Sequence, residues 1–194
     1  MFFFFASLNR RDLAILSTRQ IAQRAEHNAV LRPVWGGVFP ADRLPAKIQS
    51  YPRAFIVNTD PHDKPGTHWI AMYFPDKTTS EFFDSYGMPP SFYSPYFIEI
   101  LGRYPSQKRN QEDFQQMFSD VCGDYALMYV YRRAKGDSME DIADRTFTSS
   151  QRLNDRLVKE YVDKHLPEGH RVTRLPQTIQ RVKKRHAVHR LFNR

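Results

Sequence analysis

Cysteine is nearly absent from this chain: 194 residues hold one, Cys122. That excludes a disulfide within the chain and any multi-thiolate metal site, and it fits a reducing compartment such as cytosol or nucleus. Long apolar runs are missing as well. The opening Met1 to Ala6 is apolar, but it has no basic start and meets Arg10 and Arg11 at once. It is too short for a signal peptide or a membrane span and is expected to pack onto the domain or a partner. Glycine is scarce, eight against thirteen prolines, which favours rigid connections. Acidic residues stop at Glu168. Beyond it stand eight bases: Arg171, Arg174, Arg181, Lys183, Lys184, Arg185, Arg190 and Arg194. The other 21 Lys and Arg match the 21 acids, so the net charge of +8 belongs to a tail and not to the folded body.

What is present describes a globular domain. Apolar residues make up 41% and aromatics 14%, well above a disordered composition. The organisation expected is an N-terminal helical arm over residues 1–30, one domain over 31–168 and a basic tail over 169–194. Leu13, Leu16, Ile21 and Ala25 recur near helical spacing and predict an amphipathic helix over residues 8–30, with Asn9 or Asp12 as its cap. The run from Arg32 to Pro40 reads as an ordered loop, and Ala41 to Leu44 as a short helical turn.

Three strands are expected next: residues 55–58, 68–74 and 81–86, separated by turn signals at Asp60-Pro61, Pro65-Gly66 and residues 76–79. His68 then opens one strand and Asp84 lies near the end of the following one. If the two are antiparallel neighbours, the imidazole and the carboxylate meet at one rim of the sheet. Residues 96–104 predict a helix with Pro95 in its first turn, and residues 105–110 a basic loop. After Cys122, Tyr125, Leu127, Met128 and Tyr131 recur at helical spacing. Further helices are expected from a cap at Asp137 or Ser138, and over residues 154–166 with Leu157, Tyr161 and Val162 inward.

These placements set Cys122 at the entrance to an apolar helix, where the macrodipole and unpaired N–H groups favour a thiolate. Gly123 removes a side chain beside the sulfur and is read as part of a substrate cleft. A thiolate nucleophile needs a base, an orienter for that base and donors for an oxyanion. The chain offers His68 as base, Asp84 as orienter and the Gln115 amide, with the Cys122 backbone N–H, as donors.

At these residues the chain resembles the adenovirus protease (adenain) family and, more distantly, the SUMO-specific proteases. The matching stretches are Ile56 to Thr59, Gly66 to Ala71, Phe83 to Gly87, and Gln115 to Gly123. The resemblance implies an α+β adenain/Ulp-like cysteine protease fold, with a central mixed or antiparallel sheet packed on the helix that carries the nucleophile. It implies a cysteine endopeptidase of viral or virus-like origin, acting on viral precursor proteins during virion maturation, with Trp69 shaping the substrate cleft. Asp84 stands where the adenovirus enzyme has Glu. Gln115 sits at the adenovirus-like spacing from the cysteine and Gln116 at the SUMO-protease-like spacing; Gln115 is favoured. Two other functions stay open, a protease for ubiquitin-like modifiers and an inert basic nucleic-acid-binding virion protein.

The chemistry itself calls for no cofactor and no metal. His62 with Asp60 and Asp63 reads as a solvated loop, and Asp120 and Asp124 as capping or exposed groups. The adenovirus enzyme uses DNA as a cofactor and a basic peptide joined through a second cysteine. DNA or a peptide is therefore an expected activator here, though not by that covalent route. Arg181, Lys183, Lys184 and Arg185 are the expected DNA contacts. A monomer without membrane contact, located in the host nucleus or the virion, completes the expectation.

Overall fold

The computed structural model describes residues 15–168. Five strands form one mixed sheet in the order β1-β2-β3-β4-β5: β1 (Trp35–Pro40), β2 (Arg53–Asn58), β3 (Trp69–Phe74), β4 (Thr79–Phe83) and β5 (Ser106–Arg109). The three central strands run antiparallel, and each outer strand runs parallel to its neighbour. This is the mixed α+β architecture expected. The outer strands correct the reading. Residues expected as loops at 32–40 and 105–110 contain β1 and β5. Both lie at sheet edges, where backbone pairing with one neighbour makes a strand of a segment whose own side chains carry no alternating pattern. All four β5 side chains are exposed.

Alternation along the central strands divides the core in two. Ala54, Ile56, Trp69, Ala71, Tyr73 and Phe83 face helix α4 (Cys122–Ala134), whereas Phe55, Val57, Ile70, Met72, Phe74 and Phe82 face the side covered by α3 (Pro95–Leu101). α4 is buried from Cys122 through Tyr131, so it is a core helix rather than an amphipathic one. One buried charge pair joins α4 to β4. Arg133 binds both Glu81 carboxylate oxygens at 2.7 and 2.9 Å, and the Tyr129 hydroxyl donates to Glu81 at 2.7 Å.

Helix α1 is shorter than expected, Thr18–Glu26, and Ser17 caps it in a reciprocal box with Gln20. Leu16, Ile21 and Ala25 belong to the α4 side of the core. The remaining helices are α2 (Pro90–Tyr93), α5 (Met139–Thr146), with Ser138 and Asp141 forming its capping box, and α6 (Gln151–His165). On α6 the buried residues are Asn154, Val158 and Val162; Leu157, expected inward, is exposed. Among the described residues no helix is long and apolar enough to cross a membrane.

Candidate active site

The antiparallel β3/β4 register builds the site. Ala71 pairs with Phe83, so the residue after β4 comes opposite Ile70, diagonal to the residue before β3 on the same face of the sheet. Those residues are Asp84 and His68, and His68 Nε2 bonds Asp84 Oδ1 at 2.6 Å with both side chains buried. β4 ends at Phe83, so Asp84 to Tyr86 sit in the turn that follows instead of in the strand.

Asp84 is held at every polar atom that matters. Oδ2 accepts from the Met88 backbone N–H and the Tyr93 hydroxyl, both at 2.9 Å. Its own N–H donates to Asn110 Oδ1 at 2.9 Å, and Asn110 Nδ2 donates to its carbonyl at 2.6 Å. With Nε2 committed to Asp84, Nδ1 is the ring nitrogen left for Cys122. Burial opposes the imidazolium. The hydrogen bond to Asp84, a hydrogen bond to Cys122 and the charges of both outweigh it and push the His68 pKa up to about 9. Two tyrosines cover the ring: Tyr93 at 5.5 Å between centroids and 25° between planes, Tyr86 at 5.0 Å and 31°. Burial and the nearby Cys122 charge raise the Tyr86 phenol to about 12.

Cys122 is the first residue of α4, 3% exposed and the one free cysteine. Val121 caps the helix without a side-chain bond, so the amides at that terminus keep donor capacity beside the sulfur. Gln115 is buried and fixed from both ends. Ser85 Oγ donates to Oε1 at 2.6 Å, while Nε2 donates to the Ser119 carbonyl at 2.7 Å and to Ser119 Oγ at 3.1 Å. Gln116 is exposed and ties its backbone N–H to Asp155.

Trp69 is 6% exposed, and its indole N–H donates to the Leu16 carbonyl at 2.8 Å. It also forms one wall of a groove of about 470 Å³ lined further by Ile15, Phe39, Pro40 and Pro65. Gly123 is a correction. A Cβ there would stand 3.1 Å from Leu16 Cβ and 3.4 Å from Trp69 Cδ1, so the missing side chain admits this core contact and not a substrate backbone. Asp124 is another. It is 3% exposed, Oδ1 has no partner among the described residues, and burial raises its pKa to about 6. Arg181, Lys183, Lys184 and Arg185 lie outside the described residues. Sequence reading missed Tyr93, Tyr86, Asn110 and Ser85. The one sequence cue was position, since Ser85 and Tyr86 directly follow Asp84.

No family model matches the chain. A proposed thiol protease, R355, of Acanthamoeba polyphaga mimivirus is 27% identical over 110 residues, covering 52% of this chain and 36% of that protein. The chain thus spans little more than a third of the length of this curated relative. Two crystal structures of the ASFV pS273R protease superpose with TM-scores of 0.55 and 0.54 at 17% and 16% identity. Each covers 79% of this chain, which spans 68% and 67% of theirs. Likeness of this kind establishes architecture: the chain shares its α+β fold with the ASFV pS273R protease.

Proposed function

We propose that the chain is a cysteine-type endopeptidase with Cys122 as nucleophile, His68 as base and acid, and Asp84 as orienter. The observation that carries this is the buried His68–Asp84 pair beside a lone cysteine at the first position of α4. The Cys122 thiolate attacks the scissile carbonyl carbon, and the carbonyl oxygen takes the negative charge. The Cys122 backbone N–H meets that oxygen. One Gln115 N–H joins it by exchanging the longer Ser119 Oγ contact for the substrate. Protonated His68 gives its proton to the leaving amine, leaving a thioester. Neutral His68 then takes a proton from water, the hydroxide opens the thioester, and Cys122 and His68 return to their starting state.

The finer reading is a viral enzyme that cleaves structural precursor proteins during virion maturation, as a monomer, in the host nucleus or the virion. Supporting it are the family resemblance and the viral origin of both R355 and the pS273R protease. The tail is assigned to DNA because its eight bases lack any acid among them. If about six to eight meet phosphates, affinity falls by roughly three orders of magnitude or more between 50 and 200 mM salt.

The test is cleavage of co-expressed capsid precursors and of Gly-Gly fusions to ubiquitin-like modifiers, with cut sites mapped by mass spectrometry. Cys122→Ala and His68→Ala must abolish every cut while circular dichroism stays native. Cuts confined to Gly-Gly fusions reassign the substrate. No cut at all, with Cys122 unlabelled by a peptidyl electrophile, leaves an inert fold.

A further inference from the structure

The loop that joins Gln115 to Cys122 carries two apolar side chains in solvent. Met117 is 68% exposed and Phe118 91%, the most exposed large apolar residue among those described. Exposure is only half of the anomaly. The Ser119 N–H donates to the Gln116 carbonyl at 3.1 Å, closing a four-residue turn with Phe118 at its third position. Phe118 there has φ of 67°, the one positive φ outside glycine among the described residues. Turns of this kind take Gly or Asn at that position, because a Cβ strains the left-handed backbone. A phenylalanine is wrong for the turn and wrong for solvent.

The turn is nevertheless held firmly. Gln115 Nε2 grips the Ser119 carbonyl on its far side, and the Gln116 N–H is bound to Asp155 on α6. Phe118 therefore stands three residues past the proposed oxyanion donor and four before the proposed nucleophile, in a loop tied on both sides by hydrogen bonds. Strained residues that persist in a well-tied backbone concentrate at functional sites.

We propose that Met117 and Phe118 form an apolar rest for the polypeptide substrate, binding a bulky apolar side chain near the scissile bond. This deepens the endopeptidase reading and rests on it. Peptides with Leu, Ile, Met or Phe beside the cut are the substrates that fit. Those with only polar side chains there lose the contact.

Phe118→Gly makes the test sharp, because it relieves the backbone while removing the ring. Two fluorogenic peptide sets, identical except for Leu or Ser at the positions flanking the cut, are offered to the full chain. The wild type prefers the Leu set by roughly tenfold or more in kcat/KM, as burial of one large side chain implies. Phe118→Gly brings that ratio toward one, mainly through KM, while its Tm rises by about 2 °C or more. Met117→Ser lowers the ratio less. A ratio in Phe118→Gly equal to wild type overturns the proposal, and so does a dimer that vanishes in Phe118→Gly while the peptide preference stays. If wild type cleaves neither set, anisotropy of the labelled Leu peptide on the Cys122→Ala protein decides. Binding that Phe118→Gly removes keeps the rest and discards the protease chemistry; no binding discards both.

Discussion

The ring of Tyr93 lies nearly flat against His68, and its hydroxyl donates to the carboxylate oxygen of Asp84 that His68 leaves free. One side chain thus contacts both members of the pair. It shields the imidazole from water and fixes the rotation of the acid that orients it. Burial and the Asp84 charge raise the Tyr93 phenol well above its ordinary pKa, so it stays a donor across the working range.

Tyr93→Phe keeps the stack and loses the O–H. A hydrogen bond to a charged acceptor contributes about 1.5–3 kcal/mol, so kcat/KM is expected to fall about tenfold or more. Tyr93→Ala loses the stack too and falls further. Equal rates for wild type and Tyr93→Phe, measured on one peptide from pH 6 to 9, would show that Asp84 needs no such brace.

His68 also ties stability to pH. Its folded pKa of about 9 lies above the unfolded value of 6.5, so folding favours the protonated ring. The resulting stabilisation is complete below pH 6.5 and disappears as pH rises through 9. The shift corresponds to an amount on the order of 3 kcal/mol. Urea unfolding between pH 6 and 9.5 should show wild type losing stability relative to His68→Gln across that window. Parallel curves would sink the idea.

The two glutamines separate by burial. Gln115→Ala removes the buried amide held by Ser85 and Ser119, and turnover should fall roughly 100-fold or more, the scale of a lost oxyanion donor. Gln116→Ala alters an exposed side chain and should change turnover little. Single-turnover acylation rates measure this directly; the opposite order transfers the role to Gln116.

Gly123→Ala should act through packing. Its Cβ would press on Leu16 at 3.1 Å, beside the carbonyl that Trp69 holds. Overpacking of a core typically costs about 1–3 kcal/mol. Thermal unfolding should show a lowered Tm, and Leu16→Gly in the same protein, which removes that Cβ, should recover part of the loss beyond additivity. Strict additivity would remove Leu16 from the explanation.

Much of the site could be read along the chain because its parts are local. The continuous apolar run over residues 69–74 marks β3, the turn at 76–79 makes its neighbour antiparallel, and those two facts bring His68 to Asp84. Helical spacing after Cys122 places the sulfur at a helix start without reference to anything distant. Where the reading failed, the cause lay far away in sequence. Residues 106–109 are a strand because β4 offers them a parallel partner, and nothing in Ser-Gln-Lys-Arg announces that. Gly123 faces Leu16, more than a hundred residues earlier, and no spacing rule links the two.

Sequence by itself picked out Cys122 as the candidate nucleophile and His68 as its candidate base, since there is one cysteine and the strand-turn-strand pattern leaves one histidine at the rim. Tertiary structure alone decided how those groups are held. Tyr93 reaches His68 from α2, Gln115 reaches Ser85 across the end of the sheet, and Phe118 stands strained in solvent. Each is a side-chain contact or a backbone angle set by how separate elements pack. Periodicity along the chain reports which face a residue takes; it carries no record of what waits on that face.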